Sequence, residues 1–327
     1  MKFNFLKYRK IYFVFSGILI LASLFSLFMF GLKPGIDFTG GSILEVEYKA
    51  NRFSNQEIKE KLAELDLGEI YIQPTGERGV ILRMKDIDEA THQQVLEKLG
   101  EAEELRFESI GPTIGQELKG KTKIVIVLSL LAIVLYIAFA FRKISRPLTS
   151  WQYGIASLLA LFHDILIPIG ILSLLGFLYG VQITIPVIVA LLTVLGYSIN
   201  NTVVVFDRIR ENLLKRIGAT VAETSSHLPE RSEGREMNKV QRTPPRSVSQ
   251  SSAYEETVNN SLNQTLTRSI NTSLTTLFVL TAIFFLGGET LKYFALALIL
   301  GITAGTYSSI FLASPILVSW LRWRQRS

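Results

Sequence analysis

The chain has 327 residues, 48% of them hydrophobic against 19% charged, with a mean hydropathy of +0.32; that is too apolar for an ordinary soluble domain and points to the bilayer. The absence of cysteine excludes a disulfide framework, Cys-ligated zinc, iron–sulfur clusters and a thiol nucleophile. A net charge of +6 would suggest nucleic acid for a soluble protein, yet the basic residues cluster beside apolar stretches, where membrane topology accounts for them and no nucleic-acid partner is expected.

The first apolar span runs from about Ile11 to Phe30, behind Lys2, Lys7, Arg9 and Lys10, with no small-residue cleavage site after it. It reads as a retained anchor within residues 1–31. A hydrophilic stretch, residues 32–121, comes next. Within it, Ser42 to Lys49 alternates as a half-buried strand, and Asn55 to Leu65 has helical spacing behind Ser54 as N-cap. Glu69 to Gln73 and Gly79 to Met84 read as short strands, Asp88 to Leu99 as a second amphipathic helix and Leu105 to Glu108 as a last strand. The order β-α-β-β-α-β predicts a ferredoxin-like α+β domain.

Five further apolar segments follow. They are Lys123 to Phe141, Tyr153 to Leu175 and Val181 to Phe206, within residues 122–206, and Ile270 to Leu286 and Phe294 to Trp320, within 266–327. Each is close to the roughly 20 residues a membrane crossing needs, so the fold class is an α-helical polytopic membrane protein with six transmembrane helices and one extramembrane α+β domain between the first two. The connection 207–265 holds a stretch at about 217–253, rich in Ser, Pro, Arg and Glu, that reads as a disordered insert. The basic N-terminus, the Arg142-Lys143-Arg146 turn, the Arg208-Arg210-Lys215-Arg216 cluster and the Arg322-Arg324-Arg326 tail alternate with loops nearly free of positive charge. Both termini are therefore expected to be cytoplasmic and residues 32–121 outside.

Ionisable and amide side chains inside a bilayer are costly and so become candidates for function. The third span carries His163 and Asp164. The fourth ends on Asn200, Asn201 and Thr202 before Asp207 and Arg208. The fifth presents Gln264, Arg268, Asn271 and Thr275 at spacings of 4, 3 and 4, one polar stripe that should face protein or water rather than lipid. Each has a plainer reading as well: an interhelical hydrogen bond for Asp164, packing for His163, a snorkelling cation for Arg268, a boundary ion pair for Asp207. The sixth span has a small-residue face of Gly301, Ala304, Gly305, Ser308 and Ser309, suited to close helix packing. No phosphate loop, metal-ligand pattern or hydrolytic motif is present, so neither enzymatic activity nor a cofactor is expected. Work by this chain would then draw on an ion gradient or on a partner.

Several long motifs make the chain familiar. They are Gly35-Ile36-Asp37-Phe38-Thr39-Gly40-Gly41 after the first span and Gly196 through Asn212 in the fourth, containing Asn200, Asn201, Asp207 and Arg208. Asn263 through Ser273 in the fifth, containing Gln264, Arg268 and Asn271, and Gly287-Gly288-Glu289 with Gly305 through Phe311 in the sixth complete the set. In these the chain resembles the SecF family of bacterial protein translocation, over nearly its whole length apart from the 217–253 insert. The resemblance implies a non-enzymatic subunit in the bacterial cytoplasmic membrane, paired with SecD in an RND-superfamily complex. The proton-motive force would drive it on preproteins leaving the SecYEG channel, with YajC as a further candidate partner. It also implies an intramembrane proton path in which an Asp of the fourth span faces an Arg of the fifth, here Arg268, opposite an Asp supplied by SecD.

The Asp position is Asn201 in this chain. An amide neither takes up nor releases a proton at physiological pH. Three readings stay open: SecD carries the titrating group, Asp164 or Asp207 takes over the relay, or the position is an Asp-to-Asn variant. Asn201 is expected to keep a hydrogen bond to Arg268. Asp207, six residues on, is turned by about 120° and is a poor geometric substitute. The competing function is a self-contained RND-type proton-driven exporter of lipid or small amphiphiles.

Overall fold

The computed structural model describes residues 3–142, 148–226 and 250–325. Lys143, Arg146, Arg326 and the centre of the 217–253 insert, all used in the topology and disorder readings above, lie outside the described residues. Two compact units emerge. One comprises Ser26–Leu131 with Gly170–Val189, the other Met1–Phe25, Ala132–Ile169 and Ala190–Ser327.

The first unit contains the expected α+β domain: β1 (Gly41–Tyr48), then α3 (Asn55–Leu62), β2 (Tyr71–Thr75), β3 (Gly79–Met84), α4 (Glu89–Leu99) and β4 (Ala102–Ile110), preceded by α1 (Arg9–Phe30) and a single turn, α2 (Ile36–Thr39). The sheet is antiparallel in the order β2-β3-β1-β4. Strand periodicity decides its two faces. Leu44, Val46, Val80 and Leu82 point to one side and meet Ile58 and Leu62 of α3 and Val95 and Leu99 of α4, all fully buried. Ile43 and Ile81 point to the other, where Ile36 covers them.

Both helices begin on side-chain caps. Ser54 and Glu57 form a reciprocal capping box, and Asp88 accepts from the Thr91 amide at 2.9 Å. These bonds hold the Glu57 and Asp88 carboxyls below their ordinary values of 4.5 and 3.8, as the Lys98 bond does for Glu64. A carboxyl lowered by folding stabilises the native state above its unfolded value and ceases to as pH falls through the folded one. Protection of residues 41–110 from hydrogen exchange in the full chain should thus hold down to about pH 4.5 and fall progressively below it; protection unchanged to well below pH 3 would contradict the assignment.

The segment leading into the sheet is tied to the loop before α7 (Ile185–Ser226). The Gly35 amide donates to the Ile183 carbonyl at 2.8 Å and the Ile183 amide to the Lys33 carbonyl at 2.7 Å, a short parallel bridge. Asp37 Oδ2 accepts from the Ile185 amide at 2.8 Å, which satisfies one of the free N–H groups opening α7. In the same unit, Ser173 of α6 (Ser150–Tyr179) donates to the Gly31 carbonyl at 2.6 Å, and Ser26 of α1 to that of Gly170 at 2.8 Å.

The second unit holds the rest of α1, α5 (Pro112–Ala140), α6 and α7. It also holds α8 (Gln250–Leu286), α9 (Glu289–Ser308), a π-helical turn (Ser309–Ala313) and α10 (Ser314–Arg324). Among the described residues six helices are long and apolar enough to cross a membrane, the last built from α9, the π turn and α10. Tyr153, Phe206, Tyr254, Val258, Leu262 and Leu317 fill the core, while α1 and α5 leave large apolar side chains such as Leu21, Val127 and Leu135 exposed, as lipid-facing helices do.

Helix limits depart furthest from expectation at two places. The helix of the second span starts at Pro112, inside the stretch read as the external domain. The expected 207–265 loop is largely helix: α7 continues to Ser226 and α8 starts at Gln250. Tertiary packing explains the extension, because Tyr254, Val258 and Leu262, spaced four apart, form one buried stripe, and the Tyr254 hydroxyl meets that of Tyr153 at 3.0 Å.

Candidate functional site

The second unit brings together part of the predicted polar set. Asp164 is fully buried at the middle of α6. Its Oδ2 accepts hydroxyl bonds from Ser198 of α7 at 2.5 Å and Ser308 of α9 at 2.6 Å, and Oδ1 lies 2.8 Å from Nδ1 of His163, also fully buried. Three helices converge on one carboxyl group. Gly305 allows the approach, since a Cβ there would lie 3.3 Å from Ser198 and 3.4 Å from Asp164 Oδ2. Local irregularity surrounds the cluster. Pro168 has no N–H to give the Asp164 carbonyl, and Pro315 none for that of Phe311 inside the π turn, which begins one residue after Ser308.

Further along the same face of α7 are Asn201 and Thr202, 4% and 1% exposed, whose Nδ2 and Oγ1 have no hydrogen-bond partner among the described residues. Nε2 of His163 is likewise buried and unpartnered, with its ring stacked on Tyr307 at 5.9 Å between centroids. Groups in this condition cost about 1–3 kcal/mol each, which marks the cluster as something other than plain packing.

Arg268 belongs to a different place. It lines an open cleft of about 350 Å³ with Asp207, Arg208, Glu211 and Gln264. Its guanidinium makes no hydrogen bond or ion pair among the described residues, so the expected Asn201–Arg268 bond is not formed; Asn201 is turned into the bundle while Arg268 is exposed. Asn200 and Asn271 are exposed as well. Gln264 accepts from Arg208 Nε at 2.7 Å and from Asn212 at 2.8 Å, joining α7 to α8. Asp207 pairs with Arg210 at 2.6 Å, the boundary ion pair that was its plainer reading. Gly35, Asp37, Phe38, Gly40 and Gly41 lie in the other unit, where Asp37 caps α7.

From the sequence alone Ser308 reads as a packing residue, and Ser198 lies inside the Gly196 to Asn212 motif without being singled out. The sequence signal for Ser308 was weak but present: it lies three residues beyond Gly305, on the same helix face.

A helical bundle with six membrane-length spans, an α+β domain inserted between the first two and a polar site buried among three helices defines a multi-pass membrane protein. Residues 91–227 and 238–323 match the family described as protein export membrane protein SecD/SecF, C-terminal, and residues 25–51 match the SecD/SecF GG motif. The protein translocase subunit SecF of Thermobaculum terrenum is 38% identical over 96% of this chain and 92% of its own length, and that of Synechocystis sp. 32% identical over 99% and 96%. The crystal structure of SecDF from Thermus thermophilus, a translocon-associated membrane protein, superposes with a TM-score of 0.74 at 33% identity, covering 98% of this chain and 39% of that one. The chain belongs to the SecD/SecF family, among the SecF proteins, as an accessory subunit of the Sec translocon.

Proposed function

We propose that the chain works in the bacterial cytoplasmic membrane beside a SecD-type partner. Both termini are then cytoplasmic, the 41–110 sheet domain is on the outer side, and the proton gradient energises action on preproteins leaving the SecYEG channel, with YajC as a further candidate partner. The observation that carries this reading is the stripe Gln264, Arg268, Asn271 and Thr275. All four are exposed on a helix of membrane-spanning length. Lipid cannot satisfy an unpaired guanidinium and amides, so a second polytopic protein with complementary acidic or amide groups is the occupant that fits. The Thermus relative, whose name joins SecD and SecF and of which this chain matches 39%, supports the pairing. The alternating basic clusters support the orientation.

Expression in a bacterium lacking its own SecF, followed by pulse-labelled export of a reporter preprotein and mass spectrometry of what co-purifies, tests the reading. Wild type should restore export and bring down a SecD homologue. Arg268→Ala should lower export on the order of tenfold, the size of a lost intersite coupling. Full export by Arg268→Ala, or a wild-type chain that purifies without SecD, would count against the proposal.

A further inference from the structure

We infer that the proton-bearing group of this chain is Asp164, with His163 as the atom path to it; this rests on the gradient-driven reading above and deepens it. The argument begins with charge. Asp164 is fully buried, and what touches its carboxyl is two hydroxyls and one imidazole. No Lys or Arg bonds to it among the described residues. Among the described residues the other titratable group recorded against the pair is Tyr307 of α9, which stacks on His163 and donates its hydroxyl to the Tyr12 carbonyl of α1 at 3.3 Å; from α7 it is the Ser198 hydroxyl that meets Asp164. A carboxylate in such a place has hydrogen-bond donors but no bonded cation, and a buried charge without a counter-ion is costly, which makes this carboxyl the candidate for taking up a proton.

The arrangement also supplies a second nitrogen through which a proton can be relayed to the carboxyl. Nδ1 of His163 is 2.8 Å from Asp164 Oδ1, while its other nitrogen, Nε2, is buried with no protein partner. A proton from water taken up at Nε2 is balanced by transfer of the Nδ1 proton to Oδ1. His163 then remains neutral as the other tautomer, and Asp164 becomes a neutral acid. The pair gains one proton and one unit of charge, and reversal returns both to water. The serine hydroxyls suit both states, because a hydroxyl donates to a carboxylate and rotates to accept from a carboxylic acid. Ser198 and Ser308 belong to α7 and α9, so the charge state of Asp164 acts directly on the contact among three spans. That contact adjoins the π turn and Pro168, where the helix ladders are already interrupted. Asp207, paired with Arg210 and exposed, has none of these properties.

The experiment uses the full chain with its SecD-type partner. Export is measured with and without an uncoupler, and pH-dependent infrared difference spectra of the complex in lipid vesicles report carboxyl protonation. Asp164→Asn is isosteric and can accept the same serine hydroxyls, so its melting temperature should stay near wild type. Its gradient-dependent export should drop on the order of tenfold, and one protonated-carboxyl signal should vanish. Asp207→Asn should keep both. His163→Gln, which removes the transferring ring, should keep the signal but slow its appearance after a pH jump. An unchanged carboxyl signal in Asp164→Asn, or uncoupler-sensitive export at the wild-type rate, overturns the inference. Wild-type export insensitive to the uncoupler would defeat the gradient-driven reading instead, and the infrared signal then still decides whether Asp164 takes up a proton.

Discussion

Replacing Gly40 with alanine should leave the sheet domain unable to hold its native attachment to the membrane helices. Gly40 has φ +74° and ψ 171°, a conformation open essentially to glycine alone. A Cβ there would lie 2.8 Å from the Pro112 Cα and 3.2 Å from the Ile110 carbonyl oxygen. Both are backbone atoms and cannot swing aside. Backbone strain costs about 1–3 kcal/mol and steric overlap about 1–3 kcal/mol more, a large share of the roughly 5–15 kcal/mol that holds a domain together. Gly41 is bound in the same way, at φ +122° with the Met84 carbonyl oxygen 2.7 Å from where its Cβ would be. The paired glycines are thus accounted for by chain geometry: α2 ends, the backbone reverses against the start of α5, and β1 begins at once. Hydrogen exchange across residues 41–110 in Gly40→Ala should show a marked loss of protection, with Gly76→Ala, in open space but also at positive φ, far milder. Equal protection in Gly40→Ala and wild type would refute the account.

The second large effect is expected at Gly301. Its missing side chain is filled by Val194 of α7, whose methyl groups occupy the position a Cβ would take. Val194 is fully buried, so neither helix can yield without opening the α7–α9 contact that also brings Ser198 and Ser308 to Asp164. Gly301→Ala should destabilise the bundle by about 1–3 kcal/mol, the usual penalty of overpacking, seen as a lower melting temperature in detergent. Gly301→Ala with Val194→Ala should recover a good part of it, because the second change removes the obstructing methyls; residues in contact couple in this way. Failure of the double variant to recover any stability would show that the glycine serves something other than this contact.

The sequence carried the architecture a long way. Each apolar run long enough to cross a bilayer became a helix, since in lipid the backbone must satisfy itself. The alternation in Ser42 to Lys49 and Gly79 to Met84 became paired strands facing two amphipathic helices. Ser54 was legible as a cap because capping depends on residues three apart. Helix length was less legible: the Tyr254, Val258 and Leu262 stripe had the right period, but it adjoined a polar, proline-rich stretch that masked it.

What sequence alone determined was local and periodic: the spans, the β-α-β-β-α-β order, the list of polar residues in apolar surroundings and the family motifs. Which of those polar residues meet was decided only by tertiary structure. Asn201 and Arg268 were expected to bond and lie apart, one inside the bundle and one exposed on its side. Asp164, Ser198 and Ser308 stand far apart in the chain yet share hydrogen bonds. A helix repeats its own faces every 3.6 residues, so its polar stripe is written in the sequence. The rotation at which three helices pack is set by glycine gaps and side-chain volumes on all of them at once, and no single stretch of sequence records that.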